Sequence, residues 1–131
     1  MDLLLESLTR LRDTWPSPPW SWDARFATIA ASFTIDLEPA VRQSAQLAFP
    51  RGWTSKSLEN APEEFRALAV RTGLRANQRL LGGDVTFASK LFGLWWPWGG
   101  GDKITLRIGV LDADAATEPV PSIRALFDVK G

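Results

Sequence analysis

The segment from Leu91 to Val110 constrains the fold most strongly, because its pattern predicts two paired strands. Residues 103–110 alternate between apolar and polar side chains, which is the period of a strand with one buried face. Residues 91–98 form a second apolar run, and the three glycines and the aspartate at 99–102 suit a turn between the two runs. The sequence therefore predicts an antiparallel hairpin here.

A turn of four residues sets the register of this hairpin. The predicted cross-strand pairs are Phe92 with Gly109, Leu94 with Arg107, Trp96 with Thr105, and Trp98 with Lys103. These pairs share a face on which the second strand is polar, while the apolar side chains of that strand point to the core. A one-residue change in the turn would exchange the faces of the first strand and turn Leu91 and Trp95 outward instead. In both registers the first strand is apolar on both faces, so one face needs a cover.

Three kinds of cover would remove this extra apolar face from water. The first is intramolecular, supplied by a helix at 2–13 or by the segment 15–22. The second is a protein partner, a second copy of the chain included, because Trp and Arg are favoured interface anchors. The third is a ligand stacked on the indole rings beside Lys103 and Arg107, or a membrane interface, which Trp also favours.

The composition excludes several chemistries. The 131 residues include no Cys, no His and no Tyr. Disulfides, thiolate metal sites and Ser-His-Asp triads therefore cannot be built. We identify no catalytic carboxylate pair and no set of metal ligands, so we expect neither a cofactor nor a metal and consider an enzyme the less favoured class.

The charge and hydropathy of the chain allow predictions about its partners and its location in the cell. Lys and Arg total 15, as do Asp and Glu, whereas nucleic-acid binders usually carry a basic excess. No apolar run approaches the roughly 18 residues of a membrane span, and residues 1–6 do not resemble a signal peptide. We therefore expect no nucleic-acid partner, no transmembrane segment and a cytoplasmic location. Abundant Ala, Arg and Trp point to a GC-rich bacterial source.

The first half of the chain predicts helix, then strands. Leucines at helical spacing predict a helix over 2–13, and three prolines within four residues predict an extended path over 15–22. Alternation over 25–35 predicts a strand with one buried face. Alternation over 41–49 predicts a second strand paired with the first. The alternative prediction is a helix over 37–48, because Ala, Arg and Gln favour helices.

The second half predicts one helix and further strands. Asn60-Ala61-Pro62-Glu63 matches a capping box for a helix that Gly73 ends. Residues 74–90 stay undecided between helix and strand, with Leu80 and Leu81 suited to the end of a short strand. Strands at 87–98, 103–111 and 122–129 are predicted to form a three-stranded C-terminal meander.

These segments together predict an α+β fold in a single domain over 1–131. Its predicted architecture is a single antiparallel sheet of about five strands packed against two helices. The predicted function is that of a small non-enzymatic protein-interaction module of the adaptor, chaperone or immunity type. A homodimer is one form that such a module would take.

The tryptophan hairpin carries the predicted binding site. The residues predicted to contact the partner or ligand are Phe92, Leu94, Trp95, Trp96, Trp98, Lys103 and Arg107. The alternative function is a small-ligand-binding protein or a cofactor-free enzyme. Its pocket would lie between the sheet and a helix, lined by Trp and gated by Arg107.

Overall fold

The computed structural model describes residues 2–17 and 19–129, so Pro18 of the predicted extended segment lies outside the described residues. The elements within that part of the chain are α1 (Leu3–Thr14), β1 (Ser21–Asp23), β2 (Thr28–Thr34), α2 (Glu38–Gln46), β3 (Arg51–Trp53), α3 (Glu63–Thr72), β4 (Arg79–Gly82), β5 (Leu91–Pro97), β6 (Lys103–Val110) and α4 (Val120–Leu126). The strands form one antiparallel sheet in the order β1-β2-β6-β5-β4-β3. The predicted α+β class with a single antiparallel sheet is therefore confirmed.

The predicted hairpin and its register are confirmed. Phe92 pairs with Gly109, Leu94 with Arg107 and Trp96 with Thr105. The backbone N–H of Trp98 donates to the carbonyl of Lys103 at 2.8 Å, which closes the turn. The length of the turn was sufficient to predict the register, because successive side chains in a strand point to opposite faces and the number of turn residues decides which of them pair.

Two predicted strands are helices. Most of residues 41–49 belong to α2, which agrees with the alternative prediction of a helix over 37–48. Most of residues 122–129 belong to α4. Prolines in the first turn, Pro39 in α2 and Pro121 in α4, suit helix starts. The prediction of a three-stranded C-terminal meander that includes residues 122–129 is therefore wrong. The described chain contains six strands and four helices in place of about five strands and two helices.

Helices lie on both faces of the sheet. One face, here called the three-helix face, carries Ile104, Leu106 and Ile108 of β6. These side chains share a buried cluster with residues of α1, α2 and α4, and Trp15 and Trp20 join it. The opposite face, here called the α3 face, carries a second cluster in which α3 packs against β4 and β5.

The α3 helix supplies the cover that β5 needs. Phe65 and Leu68 of α3 are buried in one cluster with Leu80, Phe92 and Leu94. The cover is thus intramolecular, but it is neither α1 nor the 15–22 segment, because both pack on the three-helix face.

The two ends of α3 differ in how well the sequence predicts them. The predicted capping box does not form, since Asn60 lies in a short 3-10 turn and Pro62 caps the helix without a side-chain hydrogen bond. Gly73 ends the helix as predicted, in the left-handed conformation with φ of 79° that glycine adopts without steric cost. No helix in residues 2–17 or 19–129 is long and apolar enough to cross a bilayer.

Candidate functional site

The structure separates the seven predicted site residues into two groups. Phe92, Leu94 and Trp95 are buried, the first two under α3 and the third on the three-helix face. All three pack the core, and Phe92 and Trp95 each also contribute to the lining of a surface cavity. The other four reach the surface of the α3 face: Trp96, Trp98, Lys103 and Arg107.

Part of the α3 face is not covered by any helix in the described part of the chain. On this face, Ser32 and Thr34 of β2 and Lys103 of β6 are exposed. The side chain of Trp98 contacts Lys103 and Thr105 of β6 and is 46% exposed. We call Ser32, Thr34, Trp98, Lys103 and Thr105 the open strip. A large aromatic ring beside short hydroxyl side chains makes the open strip a relatively flat surface.

Hydrogen bonds hold the Trp98 ring in place. Its Nε1 donates to Thr105 Oγ1 at 2.8 Å, and the hydroxyls of Thr105 and Ser32 are hydrogen-bonded at 2.7 Å. Lys103 Nζ lies 5.1 Å from the ring centroid, within cation–π range. These contacts hold the ring in one position.

A second group of side chains surrounds Arg107. Its Nε donates to Asp23 Oδ2 at 2.8 Å, and its guanidinium carbon lies 5.0 Å from the Trp96 ring and 5.6 Å from the Phe26 ring. Phe26 meets Trp96 edge-on at 5.4 Å, and Arg25 lies 4.2 Å from the Phe26 centroid. We call these five residues the Arg107 cluster. Neither Phe26 nor Asp23 is among the predicted site residues.

The Asp23 carboxylate depends on Arg107. Burial by itself raises the pKa of Asp23, but the hydrogen bond and charge of Arg107 outweigh it, and the pKa lies below its ordinary value. A backbone N–H from Arg25 lowers this pKa further. Because the pKa is lower in the folded state, the ion pair stabilises the fold above the unfolded-state pKa and loses that contribution as pH falls through the folded-state pKa.

We expect Asp23→Asn to reduce the acid sensitivity of the fold. Wild type should lose free energy of unfolding as the pH drops below about 5, and the variant should lose less because it has no carboxylate to protonate at this position. Urea unfolding at a series of pH values measures the difference. Arg107→Gln should flatten the profile in the same way. Profiles that coincide for all three proteins would contradict a contribution from this pair.

A cavity adjoins the Arg107 cluster through Phe26. It has a volume of about 660 Å³ and lies between α3 and the residues that follow β6. Leu68 and Phe92 give it an apolar wall, while Arg71 and Asp112 bring both charges to its lining. Its volume is within the range of about 300–1,000 Å³ that small-molecule sites occupy. It is large enough to accept an anchoring side chain.

One of the two aspartates that line this cavity, Asp114, is used within its own turn. Asp114 accepts hydrogen bonds from the Thr117 hydroxyl at 2.8 Å and the Ala116 N–H at 2.9 Å, so it stabilises its own turn. Across residues 2–17 and 19–129, no group of three or more His, Cys, Asp or Glu side chains is placed to hold a metal ion.

Comparison with protein-family models, with curated proteins and with solved structures gives no match for this chain.

Proposed function

We propose that the chain is a small non-enzymatic protein-interaction module whose docking surface is the open strip together with the Arg107 cluster. The observation that carries this proposal is Trp98, whose large ring is 46% exposed yet held by a hydrogen bond to Thr105. Tryptophan is the side chain most enriched among the residues that dominate interface energies. A ring that is already ordered gives more of its contact energy to binding.

The charges around this surface favour an acidic partner. Lys103 and Arg25 are exposed cations, while the Asp23 carboxylate is taken up by Arg107. The surface therefore offers two cations, each beside an aromatic ring: Lys103 beside Trp98 and Arg25 beside Phe26. A protein segment with carboxylates next to an apolar side chain matches it, and the 660 Å³ cavity beyond Phe26 gives that apolar side chain a place to insert.

A displayed library of random peptides tests the proposal. Peptides selected on the wild-type protein should combine Asp or Glu with aromatic or aliphatic residues. Their dissociation constants, measured by calorimetry, should rise about 30-fold in Trp98→Ala, which corresponds to about 2 kcal/mol. Lys103→Glu should also weaken binding and reduce its dependence on salt, because a screened attraction is removed.

Val85→Ala is the matched control, since Val85 is 75% exposed but lies outside the docking surface. Peptides that bind Trp98→Ala and Val85→Ala equally well would overturn the proposal.

Sedimentation velocity tests whether a second copy of the chain, rather than an acidic partner, occupies the docking surface. A wild-type dimer that Trp98→Ala converts to monomer would replace the acidic partner with self-association through the same surface.

A further inference from the structure

A smaller cavity lies on the three-helix face, on the opposite side of the sheet from the docking surface. It has a volume of about 200 Å³ and lies between α2 and the strands β3, β4 and β5. Phe49, Leu81 and Trp95 form its apolar lining. Its position agrees with the Trp-lined pocket between sheet and helix that the sequence offered as an alternative. Arg107 does not gate it, because Arg107 lies on the α3 face.

The strand register explains why the sheet leaves space at this point. Leu81 pairs with Gly52 on one side and with Gly93 on the other, so one leucine stands between two positions without side chains. Phe49 fills the space over Gly93, where an added Cβ would lie 3.3 Å from its ring. Gly52 is exposed, and the cavity opens beside it.

Two arginines line this cavity, and one of the two has a carboxylate partner. Arg79 pairs directly with Trp95 across the strands and makes no side-chain hydrogen bond or salt bridge within residues 2–17 and 19–129. The Arg42 guanidinium lies 5.7 Å from the Trp95 ring and forms a salt bridge with Glu38 at 3.3 Å, in which both side chains are partly exposed. No Asp or Glu is among the described lining residues.

A third arginine in the lining has a different role. Arg51 donates from Nε and a terminal nitrogen to the carbonyl of Gly83, at 2.9 and 2.7 Å. Its guanidinium carbon lies 5.3 Å from the Phe65 ring, which belongs to the α3 face. Because two Arg51 donors are used by this carbonyl, the guanidinium groups left to hydrogen-bond a ligand are those of Arg42 and Arg79.

We infer that this cavity binds a small organic oxyanion, with its carboxylate or phosphate group paired to Arg42 and Arg79. Guanidinium groups bind both kinds of oxyanion through paired, charge-assisted hydrogen bonds. The apolar part of the ligand packs against Leu81, Phe49 and Trp95. At about 200 Å³ the cavity is below the usual range for drug-sized ligands, so that part is no larger than about one ring.

Calorimetry with benzoate, phenyl phosphate and benzyl alcohol as probes tests the inference. The two anions share a ring with the neutral alcohol, so the comparison isolates the charge. At least one anion should bind more tightly than the alcohol, and Arg79→Gln should weaken that binding about 10-fold or more. Preference between benzoate and phenyl phosphate then identifies the oxyanion.

The controls separate this site from general charge and from the docking surface. Arg10→Gln removes the same charge from an exposed position of α1 outside the cavity and should leave probe binding unchanged. Trp98→Ala should also leave it unchanged, so either proposal can fail alone. A ¹H–¹⁵N spectrum verifies that Arg79→Gln is folded. Equal binding of all three probes, no binding by any, or an unchanged affinity in Arg79→Gln would overturn the inference.

Discussion

Replacing Phe65 with alanine is expected to lower the free energy of unfolding by about 3–5 kcal/mol. Phe65 is 1% exposed and is the aromatic residue through which α3 meets the sheet. Its ring contacts Trp53 at a centroid distance of 5.2 Å, so the truncation removes support from β3 as well. The cavity left behind is enclosed between a helix and a sheet, which limits how far the surroundings can relax to fill it.

Urea unfolding followed by circular dichroism measures this loss as a lower midpoint. Val70→Ala is the control on the same helix, because Val70 is 82% exposed. It should change stability by no more than about 0.5 kcal/mol. A Phe65→Ala midpoint within the error of Val70→Ala would show that α3 is not packed against β4 and β5 as described.

Replacing Gly109 with alanine is expected to cost about 1–3 kcal/mol through overpacking. An added Cβ would lie 2.6 Å from Cζ of Phe92 and 2.8 Å from Cγ2 of Thr28. Neither neighbour can easily withdraw, since Phe92 is held beneath α3 and Thr28 is buried in β2. The lower chain entropy of alanine in the unfolded state offsets only part of this cost.

The double variant Gly109→Ala with Phe92→Leu tests the cause. Leucine lacks the outer ring atoms that the new methyl would meet, so the two changes together should cost less than the sum of their separate effects. Gly99→Ala is the control, because an added Cβ there meets no atom within 4 Å. Strictly additive costs in the double variant would exclude the clash as the reason.

Local sequence patterns were sufficient to predict the β5–β6 hairpin, but they did not distinguish helix from strand for α2 and α4. Residues four apart lie on the same face in a helix and in a strand, so Ile123 with Phe127 and Val41 with Ala45 fit both periods. The intermediate positions decide between them. Ala125 is exposed, although a strand would bury it beside Ile123. Ser44, by contrast, is buried and donates to the carbonyl of Thr14, although a strand would expose it.

The helix that covers β5 and the residues that surround Arg107 could not be predicted from the sequence, because both depend on tertiary structure. That β5 needs a cover follows from its sequence, but which helix supplies it depends on how α3 docks. Asp23 and Arg107 are 84 positions apart, and only the pairing of β2 with both β1 and β6 brings them together. Arg79 meets Trp95 through the register of β4, and β4 lies in the stretch that the sequence left undecided.

The outermost strands of the sheet have a consequence for how a partner can attach. β1 and β3 are each three residues long, and prolines stand just before them at Pro19 and Pro50. Short edge strands near prolines offer few unpaired backbone groups for an incoming chain to extend the ladder. The protein is thereby guarded against edge-to-edge aggregation, and a partner of the kind proposed above would have to contact side chains on a face of the sheet rather than add a strand to its edge.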